Sequence, residues 1–119
     1  MFGHINNVAY FKYIQAARVN SWEQCELQPL INEKSIGPVL LSTNCRFIKP
    51  LKYPGGILIK TSVEFIKNTS YGLFHSIFDF DNYLVAEAHD VIVMFDYQKN
   101  EKVQLIDSLR EILFEYSVL

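Results

Sequence analysis

The residues best placed to do chemistry lie near the start of the chain. His4, Asn6 and Asn7 follow Gly3 and directly precede a long apolar run, Val8 to Trp22. Asn is favoured at helix starts because its short amide oxygen accepts from otherwise unpaired first-turn N–H groups, so the sequence predicts a helix from near Asn7 that ends before Pro29. The same amides, with the helix dipole behind them, favour negative charge developing on a carbonyl oxygen held there. An imidazole at position 4, in the turn entering the helix, can hydrogen-bond a substrate or a water near neutral pH. Capping alone also accounts for the two asparagines, and ordering of the turn for His4.

Elsewhere the reactive residue types are scattered. His75 and His89 fall inside strand patterns, with no ligand spacing to each other or to a carboxylate pair, and two isolated histidines are a poor basis for a metal site. Both are expected to be structural or to face solvent. Asp79, Glu87 and Asp90 are expected as surface or hairpin charges. Cys25 and Cys45 lie outside any CxxC or Cys/His cluster, the pattern of free thiols in a reducing cytoplasm. Basic residues gather at Arg46, Lys49 and Lys52, and again at Lys67 before Asn68-Thr69-Ser70; solvated strand ends account for both groups. With 11 Lys and Arg against 13 Asp and Glu, the net charge of -2 offers no global basic field for a nucleic acid. No apolar run is long enough to span a bilayer, and the N-terminus lacks the charged start and apolar stretch of a secretory signal.

Three kinds of element must position these residues. From Val8 to Trp22 ten residues are apolar or aromatic, leaving a narrow polar strip at Lys12, Gln15 and Arg18, so the helix is expected to be covered on most sides. After Ser35 the period changes from helical to two. Val39 to Ile48 alternates, with Leu41, Thr43, Cys45 and Phe47 on one side. Ile57 to Phe65, Tyr71 to Phe80 and Tyr83 to Phe95 continue the pattern, separated by Pro54-Gly55-Gly56, by Lys67 to Ser70, and by a tight hairpin at Asp81-Asn82. Leu109, Ile112, Leu113 and Tyr116 return to helical spacing, with Asp107 or Ser108 as a cap. The expectation is one α+β domain over residues 1–119, four antiparallel strands curved about one long helix.

At Gly3-His4-Ile5-Asn6-Asn7, followed by Tyr10 and by Ala17-Arg18, the sequence resembles the 4-hydroxybenzoyl-CoA thioesterase family of hotdog proteins. Members of that family carry Gly-His-Val-Asn-Asn, a Tyr a few residues later and a helical Glu-Glu-Ala-Arg. Further matches stand at Ile36-Gly37-Pro38-Val39, Cys45-Arg46-Phe47, Pro50-Leu51 and Leu84-Val85-Ala86-Glu87, so the resemblance runs through the whole chain in order. It implies the hotdog fold, an antiparallel sheet wrapped around a long central helix, and hydrolysis of an acyl-CoA to free acid and CoA without metal or redox cofactor. It also implies a homodimer, or dimer of dimers, with sites shared between subunits, in the cytoplasm that the free cysteines point to.

Roles follow from the resemblance residue by residue. The backbone N–H of Asn7 is the implied oxyanion donor, with His4 and Tyr10 beside it as catalytic candidates. Asn6, Gly37, Arg46, Lys67 and Ser70 are the candidates for holding substrate and CoA, Lys67 standing in the basic stretch that meets the nucleotide. Two departures matter. In the family a strand precedes the motif and ends in an acid three positions before its glycine, which here falls immediately before Met1; that strand and carboxylate are expected upstream. Gln15-Ala16 replaces Glu-Glu, which argues against a catalytic Glu on the helix. The alternative expectation is a catalytically silent acyl-CoA-binding protein, and an acyl dehydratase on the same fold is a weaker third.

Overall fold

The computed structural model describes residues 7–25, 27, 33–50 and 56–117, with backbone alone at positions 7 and 8. Helix α1 spans Asn7–Gln24 and is followed by strands β1 (Ile36–Phe47), β2 (Ile57–Ile66), β3 (Ser70–Asp79) and β4 (Leu84–Asp96). A two-residue strand β5 (Glu101–Lys102) and helix α2 (Asp107–Glu115) complete the order. The sheet runs β1-β4-β3-β2, with β5 paired to the end of β4, and every pairing of these strands is antiparallel. The antiparallel sheet with helices is the α+β class expected from the sequence, while the sheet wrapped around one long central helix is not seen among the described residues.

The strands form where period-two patterning gives each an apolar face. In β3, Tyr71, Leu73, His75 and Ile77 are buried at alternate positions; in β4, Ala86, Ala88, Asp90, Ile92 and Met94 are. Helix α1 buries Tyr10, Ile14 and Arg18, three residues at the four-residue spacing that lines one helix face. The apolar core falls into two clusters. One gathers Tyr10 and Ile14 with Ile77, Val85, Ala86 and Ala88; the other packs Tyr71, Leu73, Ile92 and Met94 against Leu109 and Leu113 of α2. Side chains with polar groups lie between them.

Four details depart from the sequence reading. A bulge shifts the β1–β4 register between Leu40 and Ser42, so Leu41 does not join the inward row and is 63% exposed. The helix is not covered on most sides within one chain, because Phe11 and Val19 stay exposed while the sheet takes only the Tyr10–Ile14–Arg18 face. Arg18 leaves the expected polar strip and is buried. In α2 the N-cap position is Ile106, which makes no side-chain cap; Asp107 is instead the first helical residue, where its charge complements the helix dipole.

Both edges of the sheet carry distinct features. Among the described residues no strand pairs with the outer edge of β1, which exposes Val39, Leu41 and Phe47. At the β2 edge the Val63 N–H donates to the Tyr116 carbonyl (2.8 Å), and Val63 forms an isolated parallel bridge with Ser117. The β3–β4 hairpin turns where expected: Asn82 adopts φ 67°, and the Asp79 carboxylate accepts from the Tyr83 N–H (2.9 Å).

Because Asn82 occupies the left-handed region, Asn82→Val is expected to destabilise the protein by about 1–2 kcal/mol, while Asn82→Gly leaves stability unchanged or raises it. Urea unfolding of the two variants checks this, the valine substitution lowering the midpoint.

Candidate active site

A row of polar side chains crosses the interior side of the sheet. Thr61 on β2 stands directly opposite His75 on β3, and its hydroxyl lies 2.8 Å from His75 Nδ1. His75 Nε2 lies 2.7 Å from Asp90 Oδ2 on β4. Arg18 reaches down from α1 and donates twice to the same carboxylate, Nε to Oδ2 at 2.9 Å and Nη2 to Oδ1 at 3.0 Å. Thr43, opposite Asp90 on β1, adds a further hydrogen bond. Every long strand and the helix thus contribute one residue. His75 and Asp90 are 0% exposed and Arg18 is 7% exposed.

Burial by itself would push the Asp90 carboxyl up, but hydrogen bonds from His75, Arg18 and Thr43 outweigh it and hold the group at about 2. The carboxylate is therefore ionised at neutral pH, and Nε2 of His75 must be the protonated nitrogen that donates to it. Arg18 balances the buried charge in the two-pronged geometry that a guanidinium offers a carboxylate. The Thr61 hydroxyl then meets Nδ1 at the far side of the ring.

Asp90 overturns its reading as a surface or hairpin charge, whereas His75 takes the structural side of its reading, buried with both ring nitrogens partnered. The missed signal is parity. Asp90 occupies the same alternation as Ala86, Ala88, Ile92 and Met94, and His75 that of Tyr71, Leu73 and Ile77; a charge on the apolar side of a strand demands a buried partner. Arg18 carries the matching signal, four residues beyond Ile14 and eight beyond Tyr10. His89, by contrast, is an exposed partner of Glu64, with Nδ1 2.9 Å from Oε2.

The residues singled out from the sequence fall at two ends of the sheet. His4 and Asn6 lie outside the described residues, as does Lys52; Asn7 is the first residue of α1, whose first turn holds no acidic residue. Tyr10, next to that end, packs edge-on against Phe47 with centroids 4.9 Å apart, and its hydroxyl lies 3.5 Å from the Lys49 carbonyl. Arg46 is exposed and 3.4 Å from Glu87, while Lys49 sits over the Tyr83 ring. Gly37, Lys67 and Ser70 occupy the opposite end. Gly37 pairs with Phe95 and Ser70 with Val93, and the Lys67 N–H donates to the Ser70 carbonyl. Between Glu87 and Val93 the strand advances about 20 Å, so one chain does not bring Arg46 and Ser70 together. Arg110 of α2 ties the Lys67 turn in place by donating to the carbonyls of Lys67 and Asn68.

A cavity of about 480 Å³ opens between α1 and the inner face of β2 and β3. Tyr13, Ala16, Ala17 and Asn20 form its helix wall, with Ile59 and Thr61 on the strand side. Small side chains at 16 and 17 leave the space that larger ones would fill. Among the described residues no group of three His, Cys, Asp or Glu side chains could hold a metal ion, and no helix is long and apolar enough to cross a membrane.

Comparison with known proteins places this geometry among related molecules. Residues 1–113 match the family model described as the thioesterase-like superfamily. A predicted thioesterase from Bacillus stearothermophilus is 22% identical, with a TM-score of 0.85 over 98% of this chain and 85% of that one. A gentisyl-coenzyme A thioesterase, also 22% identical, gives 0.78 over 93% and 87%. A Staphylococcus aureus protein solved in complex with CoA is 10% identical and gives 0.84 over 100% and 78%. These likenesses establish the shared fold. No curated protein matches the sequence.

The buried carboxylate makes a pH signature. A carboxyl whose pKa is lower in the folded than the unfolded state binds fewer protons when folded, so its stabilisation is present above pH ~4 and disappears as pH falls toward 2. Asp90→Asn, which strands Arg18, is expected to cost about 3–5 kcal/mol at pH 7. The gap between wild type and variant in urea unfolding should then narrow by about 2 kcal/mol between pH 5 and pH 2; a gap constant with pH would show that folding does not lower the pKa of this carboxyl.

Proposed function

This chain belongs to the thioesterase-like superfamily, and we propose that it hydrolyses an acyl-CoA thioester to the free acid and CoA. The observation that carries the reading is the start of α1 at Asn7, the position in the Gly3–Asn7 motif whose amide the family resemblance makes the oxyanion donor. No acidic side chain in the first turn competes for those amides. Preorganised N–H groups aimed at a developing oxyanion are worth several kcal/mol of transition-state stabilisation, and they act without metal or redox cofactor. His4, by its place in the motif, and Tyr10 are the catalytic candidates on this reading, and the cavity beside Tyr13 and Ala17 supplies room for an acyl group.

The separation of the candidate binding residues supports an oligomeric site. Strand β1 is an edge strand with exposed apolar residues among the described residues, and antiparallel pairing with a second copy would set the Gly37, Lys67 and Ser70 end of one chain against the Tyr10 and Arg46 end of the other. A homodimer, or a dimer of dimers, thereby acquires cations for the CoA phosphates near the helix start. CoA bound to a structural relative of the same fold is consistent with this assignment.

Hydrolysis also needs a carboxylate to activate water or attack the carbonyl, and the resemblance puts it three positions before the glycine of the motif. A form of the protein that carries that acid is expected to release thiol from at least one member of an acyl-CoA panel. Changing the acid to Asn should lower kcat by at least about 100-fold. Equal rates for the two forms would refute the mechanism, and tight acyl-CoA binding without turnover in either would identify a silent binding protein.

A further inference from the structure

An oxyanion site made of helix amides is only as well placed as the helix itself, and apolar packing is a poor way to place one. Apolar contacts such as those of Ile14 are non-directional, and they tolerate sliding or rotation of α1 at small cost. Exposed Phe11 and Val19 add no restraint from the sheet. The Arg18–Asp90 pair is different in kind. Two hydrogen bonds at 2.9 and 3.0 Å fix both the height and the rotation of the guanidinium relative to β4. Asp90 cannot follow a moving helix, because His75 holds the same oxygen at 2.7 Å and is itself held by Thr61 at 2.8 Å. Ser21 reinforces the helix at that level by donating to the Arg18 carbonyl at 2.6 Å.

The position of this anchor along the helix matters. Arg18 is 11 residues beyond Asn7, about 16 Å at the rise of an α-helix, so displacement at the anchor carries through a rigid rod to the first turn. Misplacement of about 1 Å is enough to cost about 100-fold in a reaction that depends on alignment. Replacing a buried ionic triad by apolar residues of similar volume is commonly neutral or stabilising, so net stability alone gives no reason for these three charged or titratable groups to occupy the interior.

We infer that Arg18, Asp90, His75 and Thr61 are positioning residues that set α1 on the sheet so that its first-turn amides meet the thioester oxygen. The catalytic consequence rests on the acyl-CoA reading above; the mechanical one does not. Arg18→Met/His75→Leu/Asp90→Val, which removes the polar chain while roughly keeping volume, separates positioning from stability. The expected result is a melting temperature at or above that of wild type, with amide hydrogen exchange in α1 accelerated about tenfold or more and that of β3 and β4 unchanged. In the hydrolytically competent form kcat falls about 100-fold while the dissociation constant for CoA stays within threefold. Arg18→Lys, which keeps the charge but not the two-pronged contact, gives the same pattern at smaller amplitude and decides the matter if the triple variant fails to fold. Unchanged α1 exchange in a folded variant overturns the inference. Altered α1 exchange in a protein that hydrolyses no acyl-CoA upholds the positioning role and refutes the activity instead.

Discussion

A carboxylate removed from water has to be paired, and at Asp90 four other elements meet that demand. Arg18 comes from α1, His75 from β3 and Thr43 from β1, with Thr61 of β2 closing the chain behind the imidazole. Desolvation of each charge is expensive, and only full satisfaction recovers the cost. The polar row therefore admits one arrangement of helix over strands, whereas the two apolar clusters on either side of it would accept many. Hydrophobic burial supplies the bulk of the driving force; the pairing at the centre selects the register in which it is spent.

The geometry also divides labour along the sheet. At one end, the start of α1, Tyr10 and Phe47 form an apolar corner with Arg46 and Lys49 at its rim. At the other, the Lys67 turn is locked by Arg110 and by its own hairpin. Neither end assembles every group that a nucleotide thioester would need. On the proposed reading, a second chain paired along β1 would bring the two ends together.

Most of the backbone plan was legible because it depends on local pattern. Period-two alternation located four strands, Asn82 located a turn, and Asn7 located the helix start. The bulge at Leu41 was not legible, since one residue displaced from a ladder leaves the alternation on each side intact. The interior polar row was half legible. His75 and Asp90 sit on the buried parity of their strands, and Arg18 sits on the buried spacing of its helix, but each alone reads as an ordinary polar residue. Only the topology, which lays β4 between β1 and β3 beneath the helix, brings the three within hydrogen-bond reach. The basic residues remained ambiguous for a related reason: Arg46 and Lys67 are close to nothing in sequence or in one chain that reveals what they serve.

The rung between Val63 and the C-terminal segment bears on the outer border of the sheet. By occupying the Val63 amide, residues 116 and 117 act as a doorstop along β2. A strand arriving on that border would meet residue 116 at Val63, so the segment already there shortens what it could pair with.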